Sequence, residues 1–411
     1  MKINKHCFPN GLRLVHYEDT STQMVALNIV YDVGARDEHP EHTGFAHLFE
    51  HLMFGGSAHI PDYDTPLQLA GGENNAWTNN DITNYYLTVP KPNVETAFWL
   101  ESDRMLELAF SEQSLEVQRG VVMEEFKQRC LNQPYGDVGH LFRPLAFRVH
   151  PYRWPTIGKE LSHIEQATLD EVKSFFYRFY APNNAVLAVT GNISWDETVK
   201  LTEKWFAPIP RRDVPVRQLS QEPEQTQERR LTVERNVPLD ALFMGYHMCS
   251  REGADYYAFD ILSDILSNGR SSRLNRRLVQ EQNIFSGIDA YISGTRDAGL
   301  LQISGKPAAG VSLEQAEAAV RKELEELQRS PVDGQELEKV KNKFESTQIF
   351  GNINYLNVAT NLAWFELTGK AEDIDLEVER YRSVTTEQLH TVAQRTFCES
   401  NAVVLYYKSD K

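Results

Sequence analysis

The chain has no long apolar run. None of its stretches approaches the roughly 18 consecutive apolar residues that a membrane span requires, so no spanning helix is expected. Cysteine is scarce too: Cys7, Cys130, Cys249 and Cys398 lie far apart and form no metal-type pair. In a chain of 411 residues they read as reduced thiols, which excludes a disulfide framework. A basic excess is also missing. The formal charge of −16 would repel phosphates, so no nucleic-acid partner is expected. Met1 to His6 leads straight into Pro9-Asn10-Gly11 without an apolar signal core, and a cytoplasmic location is expected on that ground.

What the sequence does have is an internal duplication. Thr168-Leu169-Asp170-Glu171-Val172 precedes Asn184-Ala185-Val186-Leu187, and Thr385-Thr386-Glu387-Gln388-Leu389 precedes Asn401-Ala402-Val403-Val404. Thr168 to Thr385 and Asn184 to Asn401 share one offset of 217 residues, which also carries Arg13-Leu14 onto Arg230-Leu231. Between the copies, a stretch rich in Pro, Gln, Arg and Glu lacks apolar periodicity and reads as a linker. The expected division is a metal-binding domain at 1–210, a linker at 211–228, and a homologous domain without metal at 229–411.

Within the first copy, Leu12 to Tyr17, Val25 to Val33, Asn75 to Val89 and Ala185 to Thr190 read as strands. Gly44 to Phe54, Val94 to Phe110, Leu115 to Arg129 and Thr168 to Tyr180 read as helices, the last opened by a threonine cap. Runs of strands with grouped helices predict an α+β fold of two homologous domains. Each would be a mainly antiparallel sheet with helices packed on it.

His47-Leu48-Phe49-Glu50-His51 is the chemically informative segment. On a helix, residues four apart share a face, so His47 and His51 can each turn a ring nitrogen to one ion. Glu50 can flank that ion and poise a bound water, the chemistry of the inverted H-x-x-E-H motif. Phe45, Ala46, Leu48, Phe49, Leu52, Met53 and Phe54 make the helix apolar nearly all round. Buried histidines and a carboxylate are costly there unless paired or coordinated. A hydrogen-bonded His–Glu core cluster is the competing reading.

Catalytic zinc takes three protein ligands and keeps one position open. With Val117 at zero and about 100° per residue, Val121, Val122 and Phe126 fall at about 40°, 140° and 180°. On the same wheel Glu125 falls at about 80°, inside that apolar arc, and Glu124 at about 340°, outside it. Glu125 is therefore the expected third ligand to one Zn2+ ion. Gln118, seven residues earlier, shares its face and could hydrogen-bond a ligand.

These residues resemble the pitrilysin or insulinase-type metallopeptidases, in particular the shorter class that includes the mitochondrial processing peptidase and its bacterial relatives. The resemblance rests on Gly44-Phe45-Ala46-His47-Leu48-Phe49-Glu50-His51, Asn75-Ala76-Trp77-Thr78 with Thr83-Asn84-Tyr85, and Arg119-Gly120-Val121-Val122-Met123-Glu124-Glu125. His150-Pro151-Tyr152, Tyr180-Ala181-Pro182-Asn183-Asn184-Ala185 and Gly269-Arg270-Ser271-Ser272-Arg273-Leu274 extend it along the chain. It implies His47, His51 and Glu125 as zinc ligands and Glu50 as general base. It also implies a peptide substrate added in extended form along the strand at Asn75 and Ala76. Asn75 could hold a substrate carbonyl, with a turn asparagine as the competing reading.

The second half departs from the family pattern. Where many relatives carry an Arg and, seven residues on, a Tyr, this chain holds Val279 and Ser286. Asp260, Ser263 and Asp264 stand where His, Glu and His would be. The resemblance then implies a paralogous partner subunit supplying the Arg-Tyr pair, with a homodimer as the alternative. A non-catalytic scaffold of the same fold and a metal hydrolase of non-peptide substrates are the competing functions.

Overall fold

The computed structural model describes residues 1–410. It divides into two compact units, each built on one sheet. The first sheet has six strands in the order β1-β2-β6-β3-β5-β4. They are β1 Asn4–Cys7, β2 Arg13–Glu18, β3 Met24–Tyr31, β4 Glu73–Thr78, β5 Thr83–Pro90 and β6 Ala185–Gly191. The second runs β7-β11-β8-β10-β9, with β7 Arg229–Arg235, β8 Ala241–His247, β9 Phe285–Ile292, β10 Leu300–Pro307 and β11 Ala402–Ser409. In each sheet one pair is parallel, β2 with β6 and β7 with β11, and the other pairs are antiparallel. This is the expected α+β fold of two homologous halves.

Local chemistry repeats at the offset of the duplication. The Thr168 hydroxyl caps the helix Leu169–Phe179, and that of Thr385 caps Thr386–Thr396. Asn184 Nδ2 donates to Phe179 O at 2.8 Å, and Asn401 Nδ2 to Thr396 O at 3.0 Å. Each amide ties a helix end to the start of the following strand.

β3 and β6 read as continuous apolar runs because both faces are covered. Val25, Leu27, Ile29, Leu187 and Val189 join the main core of the first unit. Ala26, Val30, Val186 and Ala188 face a smaller cluster built with the helix Tyr355–Thr368. That helix comes from the second half of the sequence. Reciprocally, the helix Val138–Ala146 from the first half belongs to the second unit, where Phe142 and Ala146 pack with Leu300, Val403 and Leu405. The two helices begin 217 residues apart, at Val138 and Tyr355, so the duplicated halves have exchanged equivalent helices.

The segment expected as a linker has no helix or strand, yet it is pinned rather than free. Arg212 donates to the Tyr180 and Leu106 carbonyls, and Arg217 pairs with Asp32 and Asp37. Further on, Glu222 accepts from the N–H groups of Arg148, Val149 and His150. Among the described residues no helix is long and apolar enough to cross a membrane.

Candidate metal centre

The histidine helix, Phe45–Leu52, starts after Gly44, whose φ is +89°. A Cβ at Gly44 would lie 2.7 Å from Ile164 Cδ1 and 2.9 Å from Ile157 O, so glycine is required for both conformation and space. Two N–H groups at the start of the helix are satisfied from outside. Glu38 Oε2 accepts from Gly44 N and Oε1 from Ala46 N, both at 2.9 Å. Burial pushes the Glu38 carboxyl up to about 8, while the two N–H bonds favour its charged form. Nearer the far end, Tyr85 donates its hydroxyl to Phe49 O at 3.1 Å.

The helix Glu112–Phe126 brings Glu125 against both histidines. Glu125 Oε1 is 3.6 Å from His47 Nε2, and Oε2 is 3.3 Å from His51 Nε2. One ligand atom from each of the three lies within 4.8 Å of the others, the only such His/Cys/Asp/Glu group among the described residues. Arg129, one turn on, places Nη1 2.9 Å from Glu125 Oε1. The hydrogen bond with His51 holds the Glu125 carboxyl below the usual range, with burial pulling the other way.

The donor set fits a divalent ion. Burial lowers the His47 pKa to about 4, so its ring is neutral at neutral pH, the state a metal requires. Its buried Nδ1 has no hydrogen-bond partner. Two imidazoles and one carboxylate make the three-ligand set of a catalytic zinc site. Glu50 sits on the same helix with its carboxyl raised, chiefly by burial, while the nearby Thr78 hydroxyl and His51 oppose the rise. Thr78 Oγ1 is itself buried without a hydrogen bond of good geometry.

The wheel selects the glutamate found in the cluster, but its apolar arc is misplaced. Val117 and Val121 are 55% and 45% exposed, and the buried side is Leu115, Val122 and Phe126. Glu125 stands on the flank between these faces, and Glu124 is exposed, paired with Lys127. The half-buried Gln118 makes no hydrogen bond to His47, His51 or Glu125 in the structure; its side chain lies beside Gly55.

β4 is an edge strand of the first sheet, at the opposite side from β1. Ala76 pairs with Tyr85 and packs toward the core beneath the histidine helix. Asn75, alternating with it, pairs with Tyr86 on the opposite face, and its Oδ1 accepts the Ala76 N–H at 2.8 Å. Asn75 therefore does not share the histidine face, and its side chain takes up the Ala76 N–H. The strand-like run from Asn75 is broken because Asn79 Oδ1 accepts from Asp81 N and Ile82 N in a side-chain-closed turn.

In the second unit, Val279 packs against the core and Ser286 donates its hydroxyl to Lys306 O at 3.1 Å on edge strand β9. Glu38, Thr78 and Arg129 were not singled out by sequence reasoning. For Glu38 the available signal was negative: a helix opened by glycine needs its cap from elsewhere.

Residues 13–137 match the family model described as insulinase (peptidase family M16), and residues 166–344 match that described as the peptidase M16 inactive domain. The chain is 26% identical over 406 residues to zinc protease PqqE of Helicobacter pylori, spanning 97% of this chain and 91% of that one. It is 25% identical over 406 residues to YmxG of Bacillus subtilis, described as an uncharacterized zinc protease, over 98% of each. The crystal structure of a protease from Helicobacter pylori matches with a TM-score of 0.94 and 26% identity, over 99% of both chains.

Proposed function

Because the chain belongs to the insulinase, or M16, peptidase family, we propose that it is a zinc-dependent endopeptidase acting on peptides or unfolded segments. The observation that carries this reading is the convergence of His47, His51 and Glu125 beside a half-buried Glu50. Bound zinc would supply Lewis-acid polarisation of the scissile carbonyl and a water acidified for attack. The raised Glu50 carboxyl suits a base that takes the water's proton and returns it to the leaving amine. The β4 edge offers main-chain hydrogen bonds to an extended substrate, tolerant of its sequence.

A second polypeptide completes this proposal. A tetrahedral intermediate needs preorganised donors for its developing charge, and the Val279 and Ser286 side chains include no cation or phenol. The paralogous subunit would bring the Arg-Tyr pair. The intact set of ligands and base favours catalysis over a scaffold role. Glu50→Gln is expected to keep one equivalent of zinc while kcat falls by about 10²–10⁴-fold. Near-normal turnover in that variant would place the base elsewhere.

A further inference from the structure

We infer that Glu38 is a positioning residue for the metal centre, gripping the start of the histidine helix from a loop in which Arg217 pairs with the adjacent Asp37. This rests on the metal-centre reading above and concerns how the ligands are aimed.

The histidine helix has eight residues, about two turns, too few to hold an orientation by its own hydrogen bonds. Its first N–H groups need outside acceptors, and Gly44 has no side chain to supply one. Glu38 supplies two, at Gly44 N and at Ala46 N, the residue before His47. Glu38 is only 6% exposed, and burying a carboxylate is costly unless its lone pairs are used.

Such a grip matters only if Glu38 is fixed, and the preceding loop is held on several sides. Ala35 N and Arg36 N donate to Asn79 O and Asn80 O of the β4–β5 turn, at 3.1 and 2.9 Å. Trp154 Nε1 donates to Ala35 O at 2.9 Å. A Cβ at Gly34 would fall 2.6 Å from the Asn80 carbonyl, so the loop and turn are in closest contact there. Arg36 is buried against Asp81 at 3.1 Å. Arg217, from the pinned segment between the halves, reaches Asp32 Oδ2 at 2.8 Å and pairs with Asp37, the neighbour of Glu38. The line runs from Arg217 through Asp37 and Glu38 to the helix that carries both histidines. A small rotation of that helix would move His47 and His51 relative to Glu125, which sits on a separate element.

The test uses the full chain with cobalt(II) as the probe. Affinity is read by chelator competition and ligand geometry by the visible d–d absorption. Glu38→Gln keeps the size but loses one acceptor. It is expected to weaken cobalt binding about 10- to 100-fold and to alter the absorption bands. The melting temperature of the metal-free chain should move little by comparison. Arg217→Gln should weaken binding in the same direction by a smaller factor and decides the matter if Glu38→Gln does not fold. Folded variants with wild-type affinity and wild-type bands would overturn the inference. A wild-type chain that takes up no cobalt would instead overturn the metal-centre reading itself.

Discussion

Apart from the extra edge strand β1, the two units share one strand order, and in each a helix follows the matching strand: Phe45–Leu52 after β3, Tyr256–Ser267 after β8. They treat their polar groups differently. In the second helix Asp260 accepts a hydrogen bond from the Tyr381 hydroxyl, Ser263 donates to Asp260 O, and Asp264 accepts from Asn268 Nδ2 at 2.8 Å. Every polar position is closed by a protein partner. In the first helix His47 Nδ1 is buried without a partner, and His47 and His51 face Glu125 of the helix Glu112–Phe126. A buried polar group answered by its neighbours belongs to the fold. Two imidazoles and a carboxylate facing one another are a donor set that could hold an ion. The same scaffold holds both outcomes within one chain.

The most direct way to break this contrast is to remove one side chain from each helix. His51→Ala is expected to abolish stoichiometric zinc binding and bring turnover to background. Asp260→Ala should leave zinc uptake and kcat/KM intact while costing about 1–3 kcal/mol of stability, because the Tyr381 hydroxyl loses its acceptor. Metal analysis with urea denaturation of both variants reads the difference. Loss of zinc from the Asp260 variant would make the two helices functionally alike and end the distinction.

A smaller effect concerns what the second unit lacks. Adding a paralogue that carries the Arg-Tyr pair is expected to raise kcat/KM on an unfolded peptide by about 10²–10³-fold. Native mass measurement of the active species separates this heterodimer from a homodimer. Full activity of the lone chain would remove the need for a partner and show that Val279 and Ser286 mark no deficit.

Much of this was legible in the sequence where the physics is local. The i, i+4 histidines, the Thr168 and Thr385 caps and the 217-residue repeat depend on short spacing or direct identity, and each is in place. The exchange of the helices at Val138 and Tyr355 was not legible. An amphipathic helix shows its apolar face but not which sheet it covers. The wheel around Glu125 shows the limit of periodicity: valine at 117 and 121 looks like core, yet both are exposed, and the buried stripe lies on the next face. Glu38 escaped for a different reason. Its role is set by three-dimensional approach to N–H groups six and eight residues away, across a loop without periodicity.

The smallest expected effect sharpens the contrast from the side of protonation. Burial lowers the His47 pKa to about 4, against 6.5 for an exposed ring. Between these values the unfolded chain binds a proton that the folded, metal-free chain does not. Stability of the metal-free chain is therefore lost as pH falls from about 6.5 toward 4, and stability rises with pH across that window. From pH 7 to pH 4.5 the His47 share is about 2 kcal/mol, discounted for the remaining solvent contact. It is read as the difference in urea-unfolding free energy between the wild-type chain and His47→Gln at the two pH values. Distant acidic groups titrate alike in both proteins and cancel to first order, whereas Glu125 and His51, which are coupled to His47, contribute to the measured difference. A wild-type pH dependence no steeper than that of the variant would mean that His47 is not held neutral by burial. The physical contrast with the closed helix of the second unit would then have to rest on geometry alone.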